Sequence, residues 1–176
     1  MELPRIYGGE NTSNKNCDKT TGLYTLEFFC QQLKEKTSSD LILTVAFIDI
    51  NGFGAYNLLS EKKVEADMVL SGLGGIIQNQ TKSIDLAARI TKDDSLPGIG
   101  GDEFVLAFYK KKEDAERIVE EISRRFSTSY QLTISYGTSQ YNPNTHGSLE
   151  KGVKNIIKDA YQNMRDRKKA TNINEY

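Results

Sequence analysis

Two kinds of apolar pattern alternate along this chain. Stretches with apolar residues three or four positions apart predict amphipathic helices. Short runs rich in β-branched and aromatic residues predict strands. The predicted helices cover 25–36 and 61–79 and centre on 115–126 and 153–164, and the predicted strands cover 41–50, 84–90, 103–109 and 131–138.

The order of these elements is helix, strand, helix, two strands, helix, strand, helix. The two middle strands are close enough in the chain to form a hairpin, and are therefore expected to be antiparallel. This order predicts an α+β fold with a ferredoxin-like βαββαβ core of the palm or nucleotide-cyclase type, in which helices flank a central antiparallel sheet. Residues 1–17 are interpreted as an N-terminal arm and 18–176 as one domain, which suits a chain of 176 residues.

Composition and charge exclude several classes of function. The formal net charge is −1, so no overall basic field favours binding to a nucleic acid polymer. No apolar run reaches the roughly 20 residues of a membrane helix. Cys17 and Cys30 have neither pairing nor metal-ligand spacing, which favours a reducing cytoplasm. His146 is the only histidine, which argues against a His-based metal cage, and it is expected in a surface loop.

The first candidate for chemistry is residues 100–104, which read Gly-Gly-Asp-Glu-Phe and lead into a predicted strand. Glycines allow a tight turn and a close approach of backbone to a ligand. Neighbouring carboxylates repel each other unless a cation lies between them. This stretch is therefore interpreted as the tip of the central hairpin, carrying an acidic site.

A second acidic position lies upstream, where Asp49 ends the first predicted core strand and Gly52 and Gly54 follow it. In a βαββ unit this strand end neighbours the tip of the hairpin, so Asp49 and Asp102 are expected within a few ångström of each other. Mg²⁺ prefers oxygen ligands and keeps some of its positions for substrate phosphates. The two acids therefore indicate metal-dependent phosphoryl transfer.

With these motifs the chain resembles a GGDEF domain, the catalytic module of diguanylate cyclases. The opening at 18–23, the segment 49–53, Asn57, Asp67 and the strand at 132–137 resemble further family motifs in the family's order. The resemblance implies a homodimer that condenses two GTP into cyclic di-GMP and pyrophosphate, with one GTP bound to each subunit.

The resemblance also implies roles for individual residues. Asp49, the carbonyl of Ile50 and Asp102 would hold Mg²⁺ or Mn²⁺, and Asp102 and Glu103 would be catalytic. Asn57 and Asp67 would read the guanine base. The residues implied to contact the substrate are Asn57, Asp67, Gly52, Phe53, Gly54, Gly100, Gly101, Arg89 and Lys168.

Several positions depart from the family pattern. Asn51 replaces a second acid, and Gly54 replaces a lysine that would face the phosphates. Residues 90–99 separate Arg89 from the signature. The product-inhibition motif Arg-x-x-Asp would fall on Lys82 to Asp85, and because lysine lacks the bidentate fork of arginine, product inhibition is expected to be weak or absent.

Two alternatives remain open from the sequence. The residue inserted between Asn57 and Asp67 allows a related cyclic dinucleotide synthase that uses ATP or mixed nucleotides. A GTP-binding or interaction module without catalysis is the other, although a decayed site has no need to keep clustered acids.

Overall fold

The computed structural model of the protein describes residues 15–36, 42–58, 63–82, 85–91 and 101–173. Within these ranges five strands and six helices form. The strands are β1 Tyr24–Thr25, β2 Thr44–Ile50, β3 Leu86–Ile90, β4 Glu103–Phe108 and β5 Ile134–Gln140. The helices are α1 Leu26–Lys36, α2 Phe53–Leu58, α3 Lys63–Gln80, α4 Lys112–Tyr130, α5 Pro143–His146 and α6 Leu149–Ile173.

The five strands form one sheet in the order β1-β3-β4-β2-β5. β2 pairs antiparallel with β4 and with β5, and β3 pairs antiparallel with β4. Together with α3 and α4, strands β2 to β5 make the predicted βαββαβ core, so the predicted fold class is confirmed. β1 adds a short parallel strand beside β3.

Helices cover both faces of the sheet. Ala46 and Ile48 of β2 pack in one core cluster with α3 and α4, whereas Val45 and Phe47 pack in a second cluster with α1 and α6. Because successive side chains of a strand point to opposite faces, Asp49 continues the row of Val45 and Phe47. The acid therefore faces α6 rather than α3.

The position of α6 depends on a close approach to β5. A Cβ added at Gly137 would overlap the backbone of Ala160 and Met164. Ala160 and Met164 are also buried against the sheet, four positions apart on one face of the helix. This contact fixes how the carboxyl-terminal half of α6 lies over β5, and therefore which residues of α6 lie near the end of β2.

The predicted elements agree with the observed ones except at their ends. The strand predicted at 131–138 is β5 and begins at Ile134, because α4 ends with Gln131 in a left-handed conformation at φ 55°. Positions 41, 61–62 and 84 of the predicted elements lie outside the described residues, as do the loop at 92–98 and residues 1–14 of the predicted arm.

Three elements were not predicted: β1, α2 and α5. They have two, six and four residues, too few for an apolar period to be visible. The expectation that His146 lies at the surface is wrong. His146 is buried, because it ends α5 and contacts Asn142 through Nδ1 and Asp159 through Nε2 at 3.1 Å.

Candidate active site

The acidic positions of β2 and β4 meet at one end of the sheet. Asp49 is the register partner of Glu103, and residues opposite each other on antiparallel strands share a face. Both are buried, with 9% and 7% of their surface exposed. The amide of Ile50 donates to the carbonyl of Asp102 at 3.4 Å. The structure thus brings the end of β2 and the acidic turn together.

The turn before β4 depends on glycine and on a carboxylate. Gly101 has φ +101°, a conformation that favours glycine. Glu103 Oε2 accepts hydrogen bonds from the amides of Gly101 at 2.8 Å and Asp102 at 3.1 Å. Glu103 therefore stabilises the turn that presents Asp102. Gly100 lies outside the described residues.

Burial and the neighbouring acids shift the pKa of Asp102. Burial raises its pKa to about 6, and the carboxylates of Glu103 and Asp49 contribute in the same direction. A backbone hydrogen bond and the charge of Lys168 act to lower this pKa. The ionised form of Asp102 is thus less favoured than in an ordinary aspartate, and further positive charge at the site would favour it.

The chemistry of the predicted cation ligands fits a hard divalent ion. Asp49 and Asp102 supply carboxylate oxygens, and the third predicted ligand, the carbonyl of Ile50, is again an oxygen, as Mg²⁺ and Mn²⁺ prefer. In the part of the chain that the structure describes, no three His, Cys, Asp or Glu side chains form a metal-binding group by themselves.

Lys168 lies beside a predicted metal ligand. Its Nζ donates to Asp49 Oδ1 and makes an ion pair with it, and its contact with substrate phosphates stays a prediction. The lysine side chain is 31% exposed and that of Asp49 13%. Lys168 thus neutralises a predicted metal ligand in this structure.

Arg89 reaches the acidic turn despite the insertion at 90–99. Its Nε and Nη2 donate to the carbonyl of Gly101 at 2.9 and 2.7 Å, and its Nη1 contacts the carboxylate of Asp18 at 3.2 Å. Asp18 in turn accepts from the amide and the hydroxyl of Thr21 at 2.9 and 2.7 Å. Arg89 therefore joins the opening motif of the domain to the signature turn.

The glycines after Asp49 leave open space beside the backbone. Gly52 has φ +72°, and its carbonyl accepts from the amide of Tyr56 at 3.1 Å, which starts α2. Apart from chain neighbours and the backbone of α2, no atom of the described residues lies within 4 Å of a Cβ built at Gly52 or Gly54. The side chain of Phe53, 6% exposed, belongs to the core, so only its backbone faces this space.

The two predicted base-reading residues lie on neighbouring helices. Asn57 is on α2 and Asp67 on α3, both exposed, and these helices pack against each other. Both are available to a ligand from solvent. Their role in reading a base stays a prediction.

A groove of about 820 Å³ runs from the end of β2 along β5 and α6. Its lining includes Thr133 and Ser135, which lie in the strand motif at 132–137 but were given no role, and Arg167 and Thr171, which the sequence did not single out. The signal of Arg167 and Thr171 in the sequence was weak, because a basic helix end is common on any surface.

Asn51 contacts two hydroxyl residues at this end of the groove. Its amide Nδ2 donates to Thr133 Oγ1 at 2.9 Å, and its Oδ1 accepts from the hydroxyl of Ser135 at 2.8 Å. The amide therefore ties the end of β2 to the start of β5.

Of the two residues of the predicted weak product site, Lys82 lies at the surface and Asp85 in the interior. The side chain of Asp85 is fully buried, and both its oxygens accept from Lys110 Nζ at 2.8 Å. Lys82 is exposed, and its amide donates to Asp85 Oδ2 at 3.0 Å. A ligand arriving from solvent would meet Lys82 without the acid.

No helix in the described ranges is both long and apolar enough to cross a membrane. The family model described as diguanylate cyclase, GGDEF domain, matches residues 15–173. No curated protein matches the chain.

Solved GGDEF structures share the fold. The GGDEF domain of DgcB from Caulobacter crescentus, in complex with c-di-GMP, has a TM-score of 0.73 at 19% identity, covering 92% of this chain and 94% of that one. Diguanylate cyclase SiaD from Pseudomonas aeruginosa, in complex with its activator SiaC, has a TM-score of 0.68 at 18% identity, covering 88% and 58%. The FimX GGDEF domain from Pseudomonas aeruginosa has a TM-score of 0.63 at 20% identity, covering 86% and 94%.

Proposed function

Because the chain belongs to the diguanylate cyclase GGDEF family, we propose that it condenses two GTP into cyclic di-GMP with release of pyrophosphate. The observation that carries this proposal is the meeting of three acids at one sheet end. Asp49 lies opposite Glu103, the amide of Ile50 donates to the carbonyl of Asp102, and burial together with the two neighbouring acids raises the pKa of Asp102. Because its acids repel one another, such a site favours the binding of a cation and, with the cation, of a phosphate.

Each residue has a proposed task. Asp49, Asp102 and the carbonyl of Ile50 hold Mg²⁺ or Mn²⁺. When bound, this ion would neutralise phosphate charge and polarise the reacting phosphoryl oxygen. Glu103 keeps the turn in shape through its bonds to two amides and lies on the same face as Asp49, where it can accept the proton of an attacking hydroxyl.

The remaining residues hold the nucleotide. The open backbone from Gly52 to Gly54 receives phosphates, as backbone amides beside glycines do. Asn57 and Asp67 are exposed on α2 and α3 and read the guanine edge. Arg89 acts on the site through Gly101, whose carbonyl it holds.

The reaction requires two subunits. In each of the two bond-forming steps a ribose 3′-hydroxyl of one GTP attacks the α-phosphate of the other, and pyrophosphate leaves. One site per chain binds one GTP, so we propose a homodimer in which two such sites face each other. Because GTP is the proposed substrate, we also propose that the enzyme acts in the cytoplasm.

The proposal is tested by incubating the purified protein with Mg²⁺ or Mn²⁺ and GTP, ATP or both, and identifying products by mass spectrometry. We expect cyclic di-GMP from GTP alone, lost in Asp102→Asn. Asp166→Asn is the matched control, because Asp166 is an exposed acid on α6. A cyclic dinucleotide made from ATP alone would show that the substrate base is adenine and not guanine. GTP binding without any product would indicate a non-catalytic module.

The dimer is tested by measuring activity against enzyme concentration. If two half-sites must meet, specific activity rises with concentration until the dimer is saturated. A specific activity that stays constant while sedimentation shows a monomer would contradict the shared site.

A further inference from the structure

The ion pair between Lys168 and Asp49 joins two residues that the proposed reaction must separate. Asp49 is a proposed ligand of the divalent cation, and Lys168 Nζ donates to its Oδ1. A carboxylate oxygen bonded to an ammonium group is a poorer ligand for a second cation at the same place, because like charges repel. Lys168 and the metal ion therefore compete for Asp49.

The surroundings favour the lysine while no metal ion is bound. Three carboxylates meet at this end of the sheet, and the charge of Lys168 counteracts the repulsion that Glu103 and Asp49 impose on Asp102. The flexible stem of lysine lets its ammonium group reach an acid on another element. The close packing of α6 on β5 at Gly137 brings that stem to the end of β2.

The groove beside the site can accept the side chain of Lys168 once it leaves Asp49. Lys168 also lines the groove that contains Gly52, Thr133, Ser135 and Arg167. The groove adjoins the open backbone at Gly52, where the proposed phosphates lie, and a side chain that is 31% exposed can rotate toward it without unpacking the core. The ammonium group of Lys168 can thus pair with the carboxylates in the metal-free state and with phosphates in the nucleotide-bound state.

We infer that Lys168 is an exchangeable counter-ion, which neutralises Asp49 in the metal-free protein and is released toward the nucleotide phosphates when the divalent cation binds. This inference rests on the proposed function, since it concerns the same cation site. It makes cation and phosphate binding favour each other, because the cation frees the lysine and the phosphates then retain it. It also means that the free enzyme binds the cation alone weakly.

The test measures Mn²⁺ binding to the full chain without nucleotide, by calorimetry and by electron paramagnetic resonance. Lys168→Met removes the competing charge, and we expect it to bind Mn²⁺ about tenfold more tightly than the wild type, the factor that one pKa unit beside an opposite charge represents. Lys168→Arg keeps the charge and is expected to bind Mn²⁺ as weakly as the wild type does.

Two further variants control this measurement. Lys169→Met changes the next lysine, which pairs with Asp166 at 3.8 Å, and is expected to leave Mn²⁺ affinity unchanged. Asp49→Asn is expected to abolish the binding in either background, which assigns the signal to this site. Circular dichroism reports whether each variant folds, and Lys168→Gln replaces the methionine variant if that one does not.

Equal or weaker Mn²⁺ binding by a folded Lys168→Met or Lys168→Gln protein overturns the inference. If cyclic di-GMP is still made from GTP in that case, the proposed function stands and only the role of Lys168 falls. If neither the wild type nor the variant binds Mn²⁺ and no product forms, the proposed cation site falls with it.

Discussion

Two lysine–aspartate pairs lie at opposite ends of the same sheet, and they differ in how completely the acid is bonded. Asp85 has no exposed side-chain surface, and both of its oxygens accept from Lys110. The amides of Lys82 and Tyr109 donate to it as well, at 3.0 and 3.4 Å. This acid is satisfied within the fold.

Asp49 has a partly exposed partner, Lys168, and two further carboxylates beside it. A buried acid that accepts four hydrogen bonds stabilises the fold only together with its partner. An acid beside other carboxylates is instead repelled by them, and a bound cation would relieve that repulsion. The first pair therefore stabilises the architecture, and we propose that the second takes part in the chemistry.

The largest expected effect is on catalysis at the crowded end. Asp102→Asn is expected to lower the rate of cyclic di-GMP formation about 10³-fold or more, which corresponds to about 4 kcal/mol, because it removes a ligand charge from the cation site. The measurement is the initial rate with saturating GTP and Mg²⁺. Near-normal activity in a folded Asp102→Asn protein would remove this acid from the chemistry.

The next effect is on stability at the satisfied end. Asp85→Asn is expected to lower the free energy of unfolding by about 3 kcal/mol, because Lys110 keeps its charge in a mostly buried position without a matching anion. Chemical denaturation measures it. The exposed pair of Arg117 and Asp114 provides the control, and Asp114→Asn is expected to cost less than about 0.5 kcal/mol.

A smaller effect concerns pH. In the metal-free protein the pKa of Asp102 is about 6, against an ordinary value of 3.8, so the folded state holds this proton more tightly than the unfolded state does. The stabilisation that this tighter proton binding gives the folded state is fully present below pH 3.8 and is lost as the pH rises through about 6.

Asp102→Asn removes this dependence. The variant is expected to be more stable than the wild type by roughly 1 kcal/mol at pH 7, after allowance for solvent screening at a partly exposed group. The two proteins are expected to converge near pH 4. Denaturation curves of both proteins from pH 4 to 7 test this expectation. A constant difference in stability across that range would contradict the assignment of the pH dependence to Asp102.

The smallest effect is expected at Lys82, beside the satisfied acid. Since Asp85 is buried, Lys82→Ala is expected to change inhibition by cyclic di-GMP by less than about threefold, the scale of a single exposed charge. Rates measured at increasing product concentration test this. Tight inhibition that Lys82→Ala abolishes would show that the pair forms a product site after all.

Much of the fold followed from periodicity. The core strands and the four long helices were predicted from the spacing of apolar residues, and the order of elements was enough for the βαββαβ plan. The short elements β1, α2 and α5 were missed because a few residues carry no period. His146 was misplaced because its burial depends on Asn142 and Asp159, and the second of these lies on another helix.

The sequence by itself determined which groups are available at the site: the acids at the end of β2 and at the turn before β4, and the glycines beside them. Only the tertiary structure decided which cation neutralises which acid. Lys168 is 119 positions from Asp49, and Lys110 is 25 positions from Asp85. Such pairings depend on how α6 packs against β5 and on the register of β3 with β4, neither of which a local pattern encodes.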